Sequence, residues 1–316
     1  MALIGTHLAI STAALAAEGH FDRTLPVSGP VQLIIRSGVG GVKVRAGGEF
    51  TVRVRGTIQA RGGFFSSNET GEKVQYLETH PPIEQNGSII TVGAITDANL
   101  QRNISIDYEL TVPAATRLKS QTGSGDQKID GISGPLEASA GSGSIHASNI
   151  DGDVQTSTGS GEIDLESVKG NARVSTGSGD IRAIGVAGGF RASTGSGGVT
   201  LEQIQQADAR IETASGDIEI KDARGFVHAK SASGSIKVEG EGRSLWSLET
   251  VSGNVTARLP QEVGFSLRWY TLTGNISTKR PLLLEGRSNQ REVTGTVGSG
   301  ELPLDIRTVT GNIEIF

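Results

Sequence analysis

A Gly-Ser-Gly corner, or a near variant of it, returns at a fixed step of 18 residues through the middle of this chain. The aligned residues are Ser124, Ser142, Ser160, Ser178 and Ser196, then Ser215, Ser233 and Ser252, with Thr273 and Thr310 in the same position. A fixed period of this length, with varied residues in between, is typical of a chain built from stacked supersecondary units. The period therefore predicts a repeat protein.

Aligned on this Ser, the repeats show two apolar columns after the corner. Two positions after the aligned Gly the residues are Ile145, Ile163, Ile181, Val199, Ile218, Ile236, Val255, Ile276 and Ile313. Two positions further on they are Ala147, Leu165, Ala183, Leu201, Ile220, Val238 and Ala257. Variable polar residues separate the two columns, and alternation of this kind indicates a strand with one buried face.

A second strand precedes the Ser, again with two apolar columns. The first contains Val154, Ala172, Phe190, Ala209, Val227 and Trp246, and the second contains Val174, Ala192, Ile211, Ala229 and Leu248. A lone apolar residue between the strands, such as Val168, Val186 or Ile204, predicts a third inward point.

One such coil cannot fold alone. Its five or so inward side chains contribute roughly 1.5–3 kcal/mol each, against about 1.5 kcal/mol of conformational entropy for every residue. Stacked at about 4.8 Å, however, neighbouring coils can satisfy each other's backbone hydrogen bonds. We therefore predict an all-β fold, a single-chain β-helix or β-solenoid of about ten coils and roughly 50 Å in length.

The corner residues give more specific expectations. Gly follows the aligned Ser in every repeat, which predicts a positive φ or a close backbone approach. The residue before the Ser changes from Gly in five repeats to Ala, Val and Leu, as at Ala214, Val251 and Leu272. We interpret this change as an inward position in an interior that widens toward the C-terminus. The Ser hydroxyls are expected to bond the corner backbone.

Three regions follow from these patterns: 1–19, 20–115 and 116–316. Residues 3–17 are mildly apolar and end in small residues, like a secretory signal peptide without its basic segment, or else an ordinary N-terminal helix. Residues 20–115 alternate irregularly and predict a β cap, whereas 116–316 hold the repeats. Bulky residues near the C-terminus predict that this end is closed; they are Trp246, Phe265, Trp269, Tyr270 and Phe316.

Composition excludes several function classes. The 316 residues include 45 Gly and no Cys, so disulfides, thiolate metal sites and Cys nucleophiles are excluded. A net charge of −5 with interspersed signs argues against a nucleic-acid partner. No stretch reaches the roughly 20 apolar residues of a transmembrane helix. The sequence predicts neither a cofactor nor a metal.

Several motifs resemble a known family. They are Val112-Pro113, then Leu118-Lys-Ser-Gln-Thr-Gly-Ser-Gly125, the reiterated Ser-Thr-Gly-Ser-Gly-Glu/Asp-Ile, and the later Glu249-Thr-Val-Ser-Gly-Asn-Val255 and Thr308-Val-Thr-Gly-Asn-Ile313. This pattern is similar to the bacterial β-strand-repeat family of putative adhesins, a domain of unknown function. The resemblance implies an exported or envelope-associated β-solenoid and supplies no catalytic residues. Gln127 departs from it, because it stands where the Ile column should begin.

The most specific candidate site lies five places before the Ser, between the two inward columns and therefore on the outside. This column contains Glu137, Gln155, Arg173, Arg191, Arg210 and His228. Like charges on adjacent strands normally destabilise a sheet, so the Arg residues indicate an anion-binding stripe for acidic glycan, lipopolysaccharide or phosphate. The alternative is that Asp208 and Glu212 neutralise them.

Other polar sets have simpler interpretations. Lys43, Arg45, Arg53 and Arg55 form a second basic face on a predicted hairpin. Asp126, Glu162, Asp180 and Asp217 share an outward column, but the spacing of calcium-binding β-rolls is absent. His146, Asp164 and Arg182 share another column and are interpreted as a charge ladder. No His or Lys stands at a fixed offset from the Ser residues, so nucleophilic catalysis is not predicted.

The sequence thus predicts a non-enzymatic, periplasmic, surface or secreted scaffold or adhesion module that binds through a long flat face. The alternative is a self-assembling β-helix that polymerises end to end, which an uncapped terminal coil would favour. A polysaccharide-cleaving β-helix would need clustered carboxylates or a Lys or Arg base in a groove, and no such set is evident.

Overall fold

The chain forms an all-β solenoid, as the repeats predict. A computed structural model describes residues 17–60, 67–95, 97–284 and 292–316. Two sheets of 14 and 15 strands face each other across a narrow apolar core, and twelve strands of each sheet stack in parallel. Most of the predicted signal segment lies outside the described residues, and the first strand begins at Ala17.

Each coil of the repeat region contributes one strand to each sheet. The strands before the Gly-Ser-Gly corner form the first sheet: β8 (Arg117–Thr122), β10 (Leu136–Ala140), β12 (Val154–Thr158), β14 (Ala172–Thr176), β16 (Phe190–Thr194), β18 (Ala209–Thr213), β20 (Val227–Ser233) and β22 (Trp246–Ser252). The strands after it form the second sheet: β9 (Gln127–Asp130), β11 (Ile145–Ile150), β13 (Ile163–Val168), β15 (Ile181–Val186), β17 (Val199–Gln203), β19 (Ile218–Ala223), β21 (Ile236–Gly240) and β23 (Val255–Arg258).

The apolar columns lie in the core. The register pairs equivalent residues of successive coils, such as Val154 with Ala172 and Ile163 with Ile181. All members of the four predicted columns are buried except Ile276, which is half-buried. Gln127, the departure in the first column, is also buried; its amide nitrogen donates to Ser139 O at 2.6 Å.

A ladder of buried hydroxyls that the sequence analysis missed fixes the Gly-Ser-Gly corner. Thr176 Oγ1 donates to the carbonyl of Gly161 in the preceding coil at 2.9 Å and accepts the Gly179 N–H of its own coil at 3.1 Å. The first of these bonds recurs at Thr158, Thr194, Thr213, Ser231, Thr250 and Thr308, with distances of 2.8–3.1 Å. The aligned Ser side chains, expected to bond the corner, are exposed instead.

The corner glycines are required by close stacking. Positive φ occurs at Gly274 and Gly311 of this column but not in the central coils, so for those coils the close-approach alternative is the right one. A Cβ on Gly161 would fall on the carbonyl oxygen of Gly143 in the preceding coil. Neighbouring corners therefore touch through bare backbone.

The residue before the aligned Ser points outward, and the prediction of a widening interior is wrong. Val251, Val309 and Leu272 are 51%, 39% and 44% exposed, and Ala214 is exposed as well. Because the strand alternates, the buried Thr two places before the Ser takes the inward position and forces its neighbour outward.

The third inward point depends on a left-handed residue. Asn149 and Ser167 adopt φ of 55° and 57°, which turns Ile150 and Val168 into the core. The coil of β17 has no left-handed residue at the equivalent position, Gln203. Strict alternation therefore continues there: Gln203 is 1% exposed and Ile204 is 55% exposed, contrary to the prediction for Ile204.

The N-terminal region supplies the first coil and a cap. Its elements are β1 (Ala17–Pro26), β2 (Gln32–Ser37), β3 (Val42–Ala46), β4 (Thr51–Ala60), α1 (Ser67–Thr79), β5 (Ile83–Asn86), β6 (Ile89–Val92), α2 (Ala98–Gln101) and β7 (Ile104–Val112). The expected β structure is present, but β7 lies between β3 and β4, so the predicted hairpin of the basic face is wrong. Helix α1 was not predicted. It packs Val74 and Leu77 into the core, and its Glu78 accepts the His20 N–H of edge strand β1 at 2.8 Å.

The C-terminal coils are stacked out of chain order. The elements are β24 (Phe265–Thr273), β25 (Ile276–Thr278), β26 (Leu283–Leu284), β27 (Glu292–Val297), β28 (Leu302–Thr310) and β29 (Ile313–Ile315). Strand β28 pairs with β22 on one side and β24 on the other, and β29 lies likewise between β23 and β25. The coil of β28 and β29 thus lies between the coil of β22 and β23 and the coil of β24 and β25, although it comes last in the chain. Trp246, Phe265 and Trp269 are buried here, as the predicted closure requires, whereas Tyr270 is exposed.

Candidate functional site: an arginine stripe on the outer face

The candidate column runs straight across seven strands of the first sheet. Glu137 pairs with Gln155, Gln155 with Arg173, Arg173 with Arg191, Arg191 with Arg210, and Arg210 with His228, and Lys119 precedes Glu137 on β8. We call Arg173, Arg191 and Arg210 the arginine stripe. Its members are exposed and lie on adjacent strands, at a spacing of about 4.8 Å.

The arginine stripe lacks the counterions that were considered for it. Within the described ranges, no carboxylate forms an ion pair with any of the three guanidinium groups. Asp208 instead accepts the Phe226 N–H at 3.3 Å. Glu212 pairs in register with Ser193 and Lys230. Three like charges therefore stand side by side without a partner anion, an arrangement that stability alone does not favour.

The two ends of the stripe differ. On the Glu137 side, Lys119 Nζ lies 2.6 Å from Glu137 Oε1, so that pair is neutral. On the other side the Arg210 guanidinium lies 5.0 Å from the centroid of the Phe226 ring, a cation–π contact that orients it while leaving its nitrogens free to bind. The next residue of the column, His228, is half-buried.

An open groove of about 790 Å³ follows this column. It extends from Gln32 on β2 to Arg210 on β18, which is seven consecutive strands or about 29 Å. All three members of the arginine stripe line it, together with Arg117 and Lys119. The three arginines and Lys119 thus share one column of the groove, and Arg117 lies two residues before Lys119 on the same strand.

The second basic face is partly compensated by its own neighbours. Arg53 contacts Asp22 through two nitrogens, the shorter contact being 2.6 Å, and Arg55 reaches the same carboxylate at 3.3 Å. These hydrogen bonds, from Arg53 above all, hold the pKa of Asp22 below its usual range. Lys43 pairs with Glu109 at 3.3 Å. Two carboxylates thus pair with three of the four basic residues of this face, whereas Arg45 donates to the Thr111 hydroxyl at 3.3 Å. Its charge is partly compensated, unlike that of the arginine stripe.

The remaining predicted columns have structural roles. Asp126, Asp180 and Asp217 each accept a backbone N–H of the next coil, at 2.7–2.9 Å. Asp164 contacts both His146, at 3.2 Å, and Arg182, at 3.3 Å, which is the predicted charge ladder. Among the residues that the structure describes, no three His, Asp or Glu side chains are arranged to hold a metal ion. The described helices are all too short or too polar to cross a membrane.

A comparison with protein families identifies the repeats. The profile of Toastrack DUF4097 matches residues 150–316, more than half of the chain. The chain belongs to the Toastrack DUF4097 family. This membership confirms the resemblance seen in the motifs, and the match covers most of the Toastrack repeats, including the whole arginine stripe.

Three solved structures that are similar to this Toastrack chain share 12–14% sequence identity with it. A putative lipid binding protein from Parabacteroides distasonis is 14% identical with a TM-score of 0.42, and a putative adhesin from Bacteroides fragilis is 13% identical with a TM-score of 0.34; each alignment covers 94% of this chain and 97% of the other. A putative cell adhesion protein from Clostridium sporogenes is 12% identical with a TM-score of 0.23, covering 94% and 98%. Such low scores transfer no function. No curated protein matches the chain.

Proposed function

We propose that this Toastrack solenoid is a non-enzymatic, envelope-associated or exported binding module that holds anionic ligands on its outer face. The observation that carries the proposal is the arginine stripe, three exposed guanidinium groups in register with no described carboxylate paired to them. Guanidinium groups bind carboxylate and phosphate through paired hydrogen bonds. Acidic glycan and lipopolysaccharide both carry such groups.

The contrast with the N-terminal basic face supports the same conclusion. There, Asp22 and Glu109 lie at contact distance from three of the four basic side chains. A protein that needed only a soluble surface could compensate the arginine stripe in the same way. The stripe instead keeps its charge available in an open groove.

End-to-end polymerisation is less consistent with the ends of the solenoid. Edge strand β1 is partly covered by α1, and Glu78 of that helix occupies the His20 N–H. Strand β1 also carries charged residues, including Glu18 and Asp22, and charges on an edge strand oppose pairing with another chain. Strand β27 covers β24 at the other end of the first sheet.

The test replaces the arginine stripe by Gln at all three positions, Arg173, Arg191 and Arg210. Binding of fluorescent polygalacturonate and of lipopolysaccharide would be measured at several salt concentrations. We expect weaker binding by the variant and a smaller dependence on salt, because fewer counterions are released on binding. The melting temperature should stay level or rise, since a repulsion is removed.

The matched control carries the same charge change on the opposite sheet, Lys43, Arg45 and Arg55 to Gln. It should bind both ligands like the parent. If the two triple variants lost equal affinity, binding would depend on net charge alone. If the stripe variant bound like the parent, the proposed function would be wrong.

A further inference from the structure

The groove over the arginine stripe is lined by more than basic groups. Gln32, Gln155 and Asn171 contribute carboxamides, and Asp153 and Asp208 contribute carboxylates. Asp153 accepts from the Asn171 carboxamide and Asp208 accepts from the Phe226 N–H, each through Oδ1, and Asn171 Oδ1 accepts the Gly189 N–H. Carboxamides donate and accept hydrogen bonds and a carboxylate accepts several, so these exposed groups can also bind hydroxyl groups. The same carboxylates repel a ligand of very high negative charge density, such as polyphosphate or nucleic acid.

The basic groups are also arranged as a line rather than a cluster. Arg173, Arg191 and Arg210 follow the solenoid axis, one to each strand, and the groove continues past them to Gln32. A single phosphate or carboxylate could contact about two adjacent guanidinium groups at a spacing of about 4.8 Å. A chain with repeated charges could contact all three and use the rest of the groove.

From these two features we infer that the ligand is a linear acidic saccharide chain that lies lengthwise in the groove. Its carboxylates pair with the arginine stripe, and its hydroxyls bond the carboxamide and carboxylate groups between and beside the arginines. The inference rests on the proposed anion-binding function and adds the ligand's shape and chemistry. The chain can be a free polysaccharide or the saccharide part of lipopolysaccharide.

The first experiment measures affinity for oligogalacturonates of increasing length, with galacturonic acid, a neutral oligosaccharide and inorganic polyphosphate as comparisons. Affinity should rise with each added sugar until the oligomer spans the groove of about 29 Å, and then level off. Equal affinity per charge for the monomer and the long oligomers would show a point-anion site and overturn the inference. So would polyphosphate that binds as tightly as an oligogalacturonate of equal length.

A gain-of-function variant avoids the ambiguity of misfolding. Glu137→Gln frees Lys119, which lies in line with the arginine stripe. We expect roughly two- to five-fold tighter binding of long oligogalacturonates, the range that one exposed ion pair can supply. The control Glu109→Gln frees Lys43 on the opposite sheet by the same charge change and should leave affinity unchanged. Equal gains in both variants, or none in Glu137→Gln, would overturn the lengthwise site.

Two further arms separate the ligand's parts. Gln155→Ala removes an exposed carboxamide from the column without changing charge, and it should weaken oligogalacturonate binding several-fold while leaving polyphosphate binding unchanged. Whole lipopolysaccharide should bind more tightly than lipid A, which has phosphates but no long saccharide. The saccharide proposal would be wrong if lipopolysaccharide and lipid A bound equally tightly, or if Gln155→Ala did not weaken oligogalacturonate binding. The proposed anion binding would remain valid in either case. Failure of anion binding itself would appear in the triple Gln variant of the stripe.

Discussion

Replacing Thr176 by Val tests whether the buried hydroxyl ladder holds the coils together. The change keeps the shape of the side chain but removes the donor to the Gly161 carbonyl and the acceptor of the Gly179 N–H. Each buried backbone group left without a partner costs about 1–3 kcal/mol, and the added methyl group offsets at most about 1 kcal/mol. We therefore expect the free energy of unfolding to fall by about 1–5 kcal/mol.

Two companion variants make the result specific to the hydroxyl. Thr176→Ser keeps both hydrogen bonds and loses one methyl group, so it should cost only about 1 kcal/mol. Thr156 is also buried, but its hydroxyl has no partner among the described groups. Thr156→Val should therefore be neutral or stabilising.

Urea denaturation would compare the midpoints of the three variants at an unchanged slope, and hydrogen exchange would report on the Gly179 amide. We expect Thr156→Val to be the most stable variant, Thr176→Ser the next and Thr176→Val the least stable. Apolar burial and β propensity alone would instead make Val more favourable than Ser at position 176. A Thr176→Val protein as stable as the parent would refute the ladder. Equal losses at positions 156 and 176 would do the same.

Two other predictions concern the corners and the cap. Gly161→Ala should lower the free energy of unfolding by about 1–3 kcal/mol, because the new Cβ meets the Gly143 carbonyl. The control Gly38→Ala should leave stability unchanged, because the space around Gly38 is open. The melting temperatures of the two variants and the parent would be compared. Asp22→Asn should cost less than about 1 kcal/mol at pH 7, because the Arg53 contact is solvent-screened. Since folding lowers the pKa of Asp22, this stabilisation is present above the unfolded pKa of 3.8 and is lost as pH falls below it. Acid titration of the two proteins should show their stabilities converging as pH falls below 3.8, and a difference that does not shrink on acidification would contradict this assignment.

Regularity explains what could be predicted from the sequence. The strand columns repeat so closely that inward residues such as Ile163 and Val174, and outward ones such as Arg191, could be assigned from alternation alone. The position of the arginine stripe follows from the same alternation. The lack of counterions around the stripe could not be predicted in this way, because the direction of a long acidic side chain depends on neighbours in other coils.

The errors arise where one local conformation changes the alternation. The sequence predicts an inward Ile204 by analogy with Val168, which follows the left-handed residue Ser167. Nothing in the sequence shows that Ser167 is left-handed or that Gln203, at the equivalent position, is not. The sequence analysis predicts an inward Val251 because apolar residues are normally buried. The Thr that recurs one position earlier in the repeats takes the inward position, however, and strand alternation then predicts that Val251 points outward. Helix α1 offers only two buried apolar residues, too few for a helical pattern to stand out.

The order of the last coils determines how the solenoid can be assembled during synthesis. From β8 to β23, each new coil can dock on the one before it as soon as it leaves the ribosome. The segment Phe265–Thr278 has no such surface, because its in-sheet neighbours are β27 and β28, which are made later. It must wait until residues 302–315 slide between it and β22–β23. The last two coils therefore fold in one cooperative step, after residues 302–315 have been synthesised. They form a single folding unit that follows the sequential repeats.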